Sequence, residues 1–181
     1  MTTDTTVEIV PTQPEDVRAV QEVVHKTWRV SSPNAELGIT VEDIDAFHAD
    51  LLTDAALSAR AANIRDPKPG EVRLVAKTNG HVIGMCYGIE LEAANKLSAL
   101  YLLPEYQGKG IGYRLWDAAR LKFNTAKPTI LHVATYNAKA IAFYEKLGFI
   151  KTGKEWQDEK FKMKSGAIIP QLEMMRPADT L

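Results

Sequence analysis

Residues 97–112, LSALYLLPEYQGKGIG, run from an apolar strand-length segment into a glycine-punctuated turn that opens a helix. Such a turn gathers backbone N–H groups at the positive end of a helix dipole, which suits an anion. Gly108, Gly110 and Gly112 would let the backbone come close to a bulky phosphate. A tight turn with no ligand is the plainer alternative. Two nucleotide patterns fail on spacing. The phosphate loop needs G-x-x-x-x-G-K-[ST], yet Lys109 stands between glycines and no Ser or Thr follows where one is required. The dinucleotide pattern needs G-x-G-x-x-G, whereas the spacing here is G-x-G-x-G and residue 113 is Tyr.

A second motif follows at a fixed interval. Asn137 lies 30 residues beyond Gln107 and opens the run NAKAIAFYEKLGF, residues 137–149, which contains Tyr144. That interval has room for a helix and a strand. The pattern Gln107-x-x-Gly110-x-Gly112, set after a strand and before a helix, resembles the acyl-CoA-binding loop of the GNAT N-acetyltransferase family, and the run from Asn137 resembles the second half of that family's signature. The likeness covers residues 97–149 in specific motif residues and nearly the whole chain in the order of its elements.

The resemblance implies an α/β, single-domain GNAT fold: a mixed central sheet with splayed central strands, flanked by helices. It implies that the pantetheine arm of acetyl-CoA, or of a close acyl-CoA, enters the gap and pairs strand-fashion with the backbone of Leu100, Tyr101, Leu102 and Leu103. It assigns the pyrophosphate to the loop of Gln107, Gly108, Lys109, Gly110, Ile111, Gly112 and Tyr113, the arm to a hydrogen bond from Asn137, and the sulfur to the vicinity of Tyr144. The implied activity is direct acetyl transfer to an amine acceptor (a small molecule, a polyamine or a protein amine) without a metal. A homodimer would be common for the family. A CoA-binding sensor that kept the fold and lost the chemistry is the alternative, and a Phe at position 144 would have favoured it.

Acyl transfer to an amine expels a thiolate, and a phenol near pKa 10 is protonated at neutral pH and can give that thiolate a proton. Tyr144 is the candidate acid; the alternative is one member of its helix's apolar face, beside Ile141 and Leu147. The amine must itself lose a proton. His132, five residues before Asn137, is the candidate base, because imidazole titrates near neutrality; a hydrogen-bonded or half-exposed strand histidine is the alternative. Glu90 and Glu92 are further base candidates. His25, His48 and His81 form no metal-ligand spacing. Trp28 and Arg29 close the first helix near where the family's acceptor site lies, with a core Trp and a solvated Arg as the plainer alternative, and Glu42, Asp43, Asp45 and Asp50 make an acidic patch that either attracts a cationic acceptor or serves solubility alone.

The elements that must hold these groups follow from pattern. The 181 residues are 45% hydrophobic and 25% charged, which fits one globular domain and excludes a disordered or disulfide-stapled chain. A formal charge of −1 gives no footprint for nucleic acid or anionic membrane. The lone Cys86 excludes an intrachain disulfide, and no apolar run approaches the roughly 18 residues of a membrane span. The opening residues lack a basic segment before an apolar one, so a cytoplasmic location is expected.

Residues 7–10 read as a strand, and Thr12 with Glu15 sits at capping-box spacing before a stripe of Val17, Val20, Val24 and Trp28. Thr40 with Asp43 opens a second helix bearing Ile44, Phe47, Leu51 and Leu52. Val72, Leu74 and Ala76 alternate as in a strand, Asn79-Gly80 is a two-residue hairpin turn, and residues 82–89 return. A strand over 97–103, a helix over 115–123, a strand over 130–135 and a helix from Asn137 to Leu147 follow, then strands at 149–152 and about 168–175. The expected order is β-α-α-β-β-β-α-β-α-β-β. Residues 1–6 are expected to be a flexible N-terminus, 7–176 the domain and 177–181 a C-terminal tail.

Overall fold

The structure, a computed structural model, describes residues 6–179. Of the expected flexible N-terminus, residues 1–5 lie outside the described residues, as do 180 and 181 of the expected tail. Seven strands form one mixed sheet in the order β1-β2-β3-β4-β5-β7-β6. They are β1 (Val7–Pro11), β2 (Glu71–Thr78), β3 (His81–Glu90), β4 (Asn95–Leu102), β5 (Thr129–Ala134), β6 (Ile150–Trp156) and β7 (Gln171–Arg176). Five helices flank it: α1 (Val17–Ser31), α2 (Val41–Ala49), α3 (Asp54–Arg65), α4 (Ile111–Arg120) and α5 (Ala138–Lys146).

Local chemistry sets the ends of these elements. The Asp16 carboxylate accepts the Gln13 N–H at 2.9 Å, so the cap before α1 falls one residue later than the Thr12–Glu15 spacing predicts. At α2 the expected capping box forms: the Asp43 N–H donates to Thr40 Oγ1 at 3.1 Å, and the Thr40 N–H donates to Asp43 Oδ2 at 3.1 Å. The second helix nevertheless ends at Ala49, short of Leu51 and Leu52, and α3 follows as a helix the periodicity did not announce. Its sequence, DAALSARAANIR, buries only Leu57, so it carries no apolar stripe to read. The β2–β3 hairpin turns at Asn79 (φ 49°) and Gly80 (φ 78°), the backbone a two-residue turn demands.

The centre of the sheet is where the architecture departs from regularity. β4 and β5 run parallel and pair at Asn95↔Thr129, Lys96↔Ile130 and Leu97↔Leu131 only. Beyond Leu97, β4 continues on β3 to Leu102 while β5 continues on β7 to Ala134, so the two strands diverge. A bulge marks the departure: Tyr87 faces Ala99 and Gly88 faces Leu97, which leaves Ser98 as the extra residue of β4. Gly88 is required there, because a Cβ would come within 2.3 Å of the Phe123 ring and 2.8 Å of the Lys96 carbonyl oxygen. At the closed end, buried Asn95 donates to the Asn124 carbonyl at 2.8 Å and accepts the Asn124 N–H at 3.3 Å, tying the preceding loop to the base of the split.

One core cluster joins β2–β5 and β7 to α4 and α5 through residues such as Leu74, Leu97, Leu115, Trp116, Leu131, Ile141 and Phe149. A smaller one gathers Ile39, Ile44, Met163 and Ile169 with Trp28, Phe47 and Phe161. After β7, Asp179 accepts Arg120 at 2.8 Å and Arg176 at 2.7 Å, which docks residues 177–179 against α4. Among the described residues no helix is long and apolar enough to cross a membrane.

Candidate functional site

The gap between β4 and β5 is a cavity of about 270 Å³. Leu100 and Tyr101 line it from β4, His132 from β5, Asn137 from the cap of α5 and Tyr144 from within α5. Five residues singled out in the sequence therefore meet in one place. Leu102 and Leu103 carry the strand onward, and the loop from Gln107 to Tyr113 stands past its end rather than in the cavity wall.

That loop is built to leave its amides available. Gly108 and Gly110 have φ of 76° and 77°, the left-handed region glycine enters without strain, and a Cβ at either would point into open space. Gly110 is the N-cap of α4. Among the described residues, none of the backbone N–H groups of 108–113 donates to another group of the chain; the first engaged amide is that of Arg114, to Gly110. Four of these, those of residues 110–113, are the orphan donors of the helix's first turn. Ile111 is buried in the core and fixes the loop's height on the sheet. Gln107 braces it: its Nε2 donates to the Leu102 carbonyl at 2.9 Å, and its Oε1 accepts Lys139 Nζ at 2.6 Å from α5. Thr27 Oγ1 reaches the same Leu102 carbonyl at 3.4 Å. Of the strand backbone expected to meet an extended arm, this carbonyl is already engaged. Gly112 faces Phe143 with room for little more than a hydrogen, Tyr113 stands exposed with its ring edge-on to Phe143, and Lys109 lies over the Tyr106 ring at 5.4 Å.

Asn137 spends its Oδ1 on the Ala140 N–H at 3.1 Å, capping α5, which leaves its Nδ2 as the donor toward the cavity. Tyr144 sits two helical turns on, packed on the core and on Phe149. Burial, with help from Tyr101 and Cys86, pushes its phenol well above the ordinary value of 10, so it is protonated throughout the neutral range. Burial likewise raises Tyr101, against the Trp28 indole.

His132 packs edge-on to Trp156 at 4.6 Å and lies 3.8 Å from Glu173, its register partner on β7. Burial, then the Lys96 charge, hold its pKa below 6.5 despite Glu173. The imidazole is therefore neutral at pH 7, with a lone pair able to accept a proton. Glu90 is bound to Lys127 at 2.7 Å at the far end of β3, and neither it nor Glu92 lines the cavity.

The acidic patch on α2 does not exist as such. Asp43 is buried, engaged in its cap and in accepting Ser165 Oγ at 3.0 Å, while Asp45 pairs with His25 at 2.7 Å and Arg29 at 3.4 Å. Arg29 is thereby turned to α2, whereas Trp28 reaches the cavity and stacks on Phe47 at 5.5 Å. Lys96, Lys160 and Phe161 also line the cavity. The sequence offered a signal for Lys96 alone, a lysine at the start of an otherwise apolar strand. Among the described residues, no group of three or more His, Cys, Asp or Glu is arranged to hold a metal ion.

A family model described as the acetyltransferase (GNAT) domain matches residues 37–164. Among curated proteins, the chain is 28% identical over 141 residues to the peptidyl-lysine N-acetyltransferase YjaB of Salmonella typhimurium, covering 78% of this chain and 89% of that one. It is 26% identical over 144 residues to the spore coat polysaccharide biosynthesis protein SpsD of Bacillus subtilis, covering 78% of this chain but 46% of the relative, so it spans about half of that protein's length. Among solved structures, the PaiA N-acetyltransferase of Thermoplasma acidophilum, determined with coenzyme A, superposes with a TM-score of 0.73 at 21% identity over 95% of this chain and 99% of that one. At that identity the likeness is one of fold.

Proposed function

The chain belongs to the GNAT acetyltransferase family, and from that premise we propose that it transfers an acetyl group from acetyl-CoA directly to an amine acceptor through the cavity between β4 and β5. The observation that supports this reading most is the parting of the two strands after Leu97 and Leu131, with Asn137, Tyr144 and His132 converging on the space it opens. In this reading the thioester supplies the acetyl group and a thiolate leaving group.

The chain's own residues do the rest. The unengaged amides of residues 108–113 hold the pyrophosphate at the N-terminus of α4. Asn137 Nδ2 donates to the arm. Neutral His132 takes a proton from the ammonium acceptor, which frees the nitrogen lone pair. Tyr144, held protonated by burial, gives its proton to the departing thiolate. The C–N bond forms as the C–S bond breaks. Of the two protons the ammonium loses, one passes through His132 to solvent and the other restores the Tyr144 hydroxyl. Cys86 has no part in this: burial pushes its thiol up to about 12, which removes the nucleophilic thiolate. The same proposal puts the protein in the cytoplasm, where a lone thiol stays reduced.

The test is a panel of amines scored for free-thiol release from acetyl-CoA. Release that depends on an amine, with the N-acetylated product identified by mass, supports the reading. Tight acetyl-CoA binding without release for any amine would favour a CoA-binding sensor of the same fold.

A further inference from the structure

We infer that the acceptor is a small amine that also carries a carboxylate, as an amino acid does, and that Lys96 selects it. The inference rests on the proposed reading of the cavity as the site of transfer, and it names the class of acceptor. Two ammonium groups, Lys96 and Lys160, line the cavity, and no Asp or Glu does. Lys96 is half-buried on β4 and, among the described residues, its side chain takes part in no ion pair or hydrogen bond, while its backbone pairs within the sheet.

The neighbouring carboxylates are spoken for. Asp158 binds exposed Lys160 at 2.9 Å. Glu173 is held by Lys154 at 3.1 Å and faces His132 at 3.8 Å. Positive charge is thus left over at the one place where it is partly shielded from water. Burial, then the Lys160 charge, lowers the Lys96 pKa, with Asp158 and Glu173 offsetting part of the effect, and an incoming carboxylate would relieve the rest.

A polyamine would do the opposite, since it brings a further cation beside one whose neighbouring carboxylates are already bound to other lysines. A protein lysine or N-terminus offers no free carboxylate at that distance from its amine. Trp28 and Phe161 add an aromatic stretch of wall that gives an apolar surface to the body of a small molecule. A cavity of about 270 Å³ accommodates the thioester end together with an amino acid. The transfer itself is unchanged: the C–N bond forms on the α-amine, the C–S bond breaks, and the carboxylate stays intact against Lys96.

The experiment compares matched pairs: L-leucine, L-methionine and L-phenylalanine, each against its carboxamide, with spermidine as the cationic arm. The amide's amine is less basic and deprotonates more readily, so a preference for the acid runs against intrinsic reactivity. We expect kcat/KM for the acid to exceed that for its amide by about tenfold or more. Lys96→Met, which keeps the stem and removes the charge, should bring that ratio close to one. Lys96→Arg should restore most of it, which separates charge from folding. Spermidine or the amides preferred by the native protein, or a ratio retained in Lys96→Met, would overturn the inference.

A binding arm keeps the two readings apart. The CoA-saturated protein is titrated with N-acetyl-leucine and N-acetyl-leucinamide, followed by calorimetry. Lys96-dependent binding of the carboxylate without turnover of any amine would uphold the anion site and count against the transferase reading. Equal or absent binding of the two would overturn the anion site whatever the enzyme turns over.

Discussion

Leu97 of β4 and Leu131 of β5 are the last residues at which the two central strands face each other, and both are almost wholly buried. Everything placed at the site depends on what happens one residue later. Ser98 is bulged, β4 stays with β3, β5 stays with β7, and the space between them receives side chains from α1, α5 and the segment after β6.

The bulge is sterically committed through Gly88. Gly88→Ala would drive a methyl group into the Phe123 ring and the Lys96 carbonyl. The expected cost is about 1–3 kcal/mol, as for an overpacked core. Thermal or urea unfolding checks it, and a variant as stable as the native protein would mean that the split is not held from this side.

Gly110→Asp puts a carboxylate beside the amides of the loop. Acetyl-CoA affinity measured by calorimetry should fall about tenfold or more. The left-handed φ of 77° adds a stability cost for any side chain. Gly110→Asn, which tolerates that region better and carries no charge, should retain most of the affinity. Equal loss in both variants would point to backbone disturbance instead of repulsion.

His132 predicts the shape of the pH profile. A base must be unprotonated, so kcat/KM should rise with pH through a limb centred below 6.5 and level off near neutrality. His132→Gln should abolish that limb and lower kcat about a hundredfold while sparing acetyl-CoA binding. Lys96→Met, by removing a charge that depresses the imidazole, should move the limb upward. A profile identical in all three proteins would leave His132 as a strand residue.

His48 predicts a stability effect unconnected with turnover. It is buried against Trp28 and Phe47, stacked on His25, with Nδ1 donating to the Ile44 carbonyl at 3.0 Å. Burial lowers its pKa below 6.5, so between that value and the folded-state pKa the unfolded chain binds more protons than the native one. Stability from this residue is therefore present above 6.5 and lost as pH falls through the folded-state pKa. Tm should decline from pH 7 to pH 5, and His48→Gln should flatten part of that decline. A native curve that is flat, or one unaltered by the substitution, would contradict this.

Tyr144→Phe keeps the ring against Phe149 and removes one hydroxyl. Loss of a general acid should lower kcat by about tenfold or more, with Tm and acetyl-CoA affinity retained. Native turnover would deny the hydroxyl its role, and lost CoA binding would make it a cofactor-holding group.

The parts of the fold that were legible are those with strong local chemistry. Asn79-Gly80 and the loop glycines Gly108 and Gly110 bear a left-handed backbone that few other residues adopt, and the Thr40–Asp43 box and Asn137 supply side-chain caps that few other residues can make. α3 was not legible, because a helix that buries only Leu57 leaves no periodic trace. Two pairings could not be read from local pattern. Glu173 meets His132 only through the β5–β7 register, across some forty residues, and Lys96 and Lys160 share a cavity only because β4 parts from β5. The acidic residues of α2 misled for the same reason, since their partners, Ser165 and His25, come from other elements.

The most direct measurement is the position of coenzyme A in a structure determined with it bound. We expect the pyrophosphate on the amides of residues 108–113, the pantetheine arm between β4 and β5 beside Asn137 Nδ2, and the sulfur within hydrogen-bond reach of the Tyr144 hydroxyl. Coenzyme A seated elsewhere, or threaded through the split with its sulfur turned away from Tyr144, would contradict that expectation.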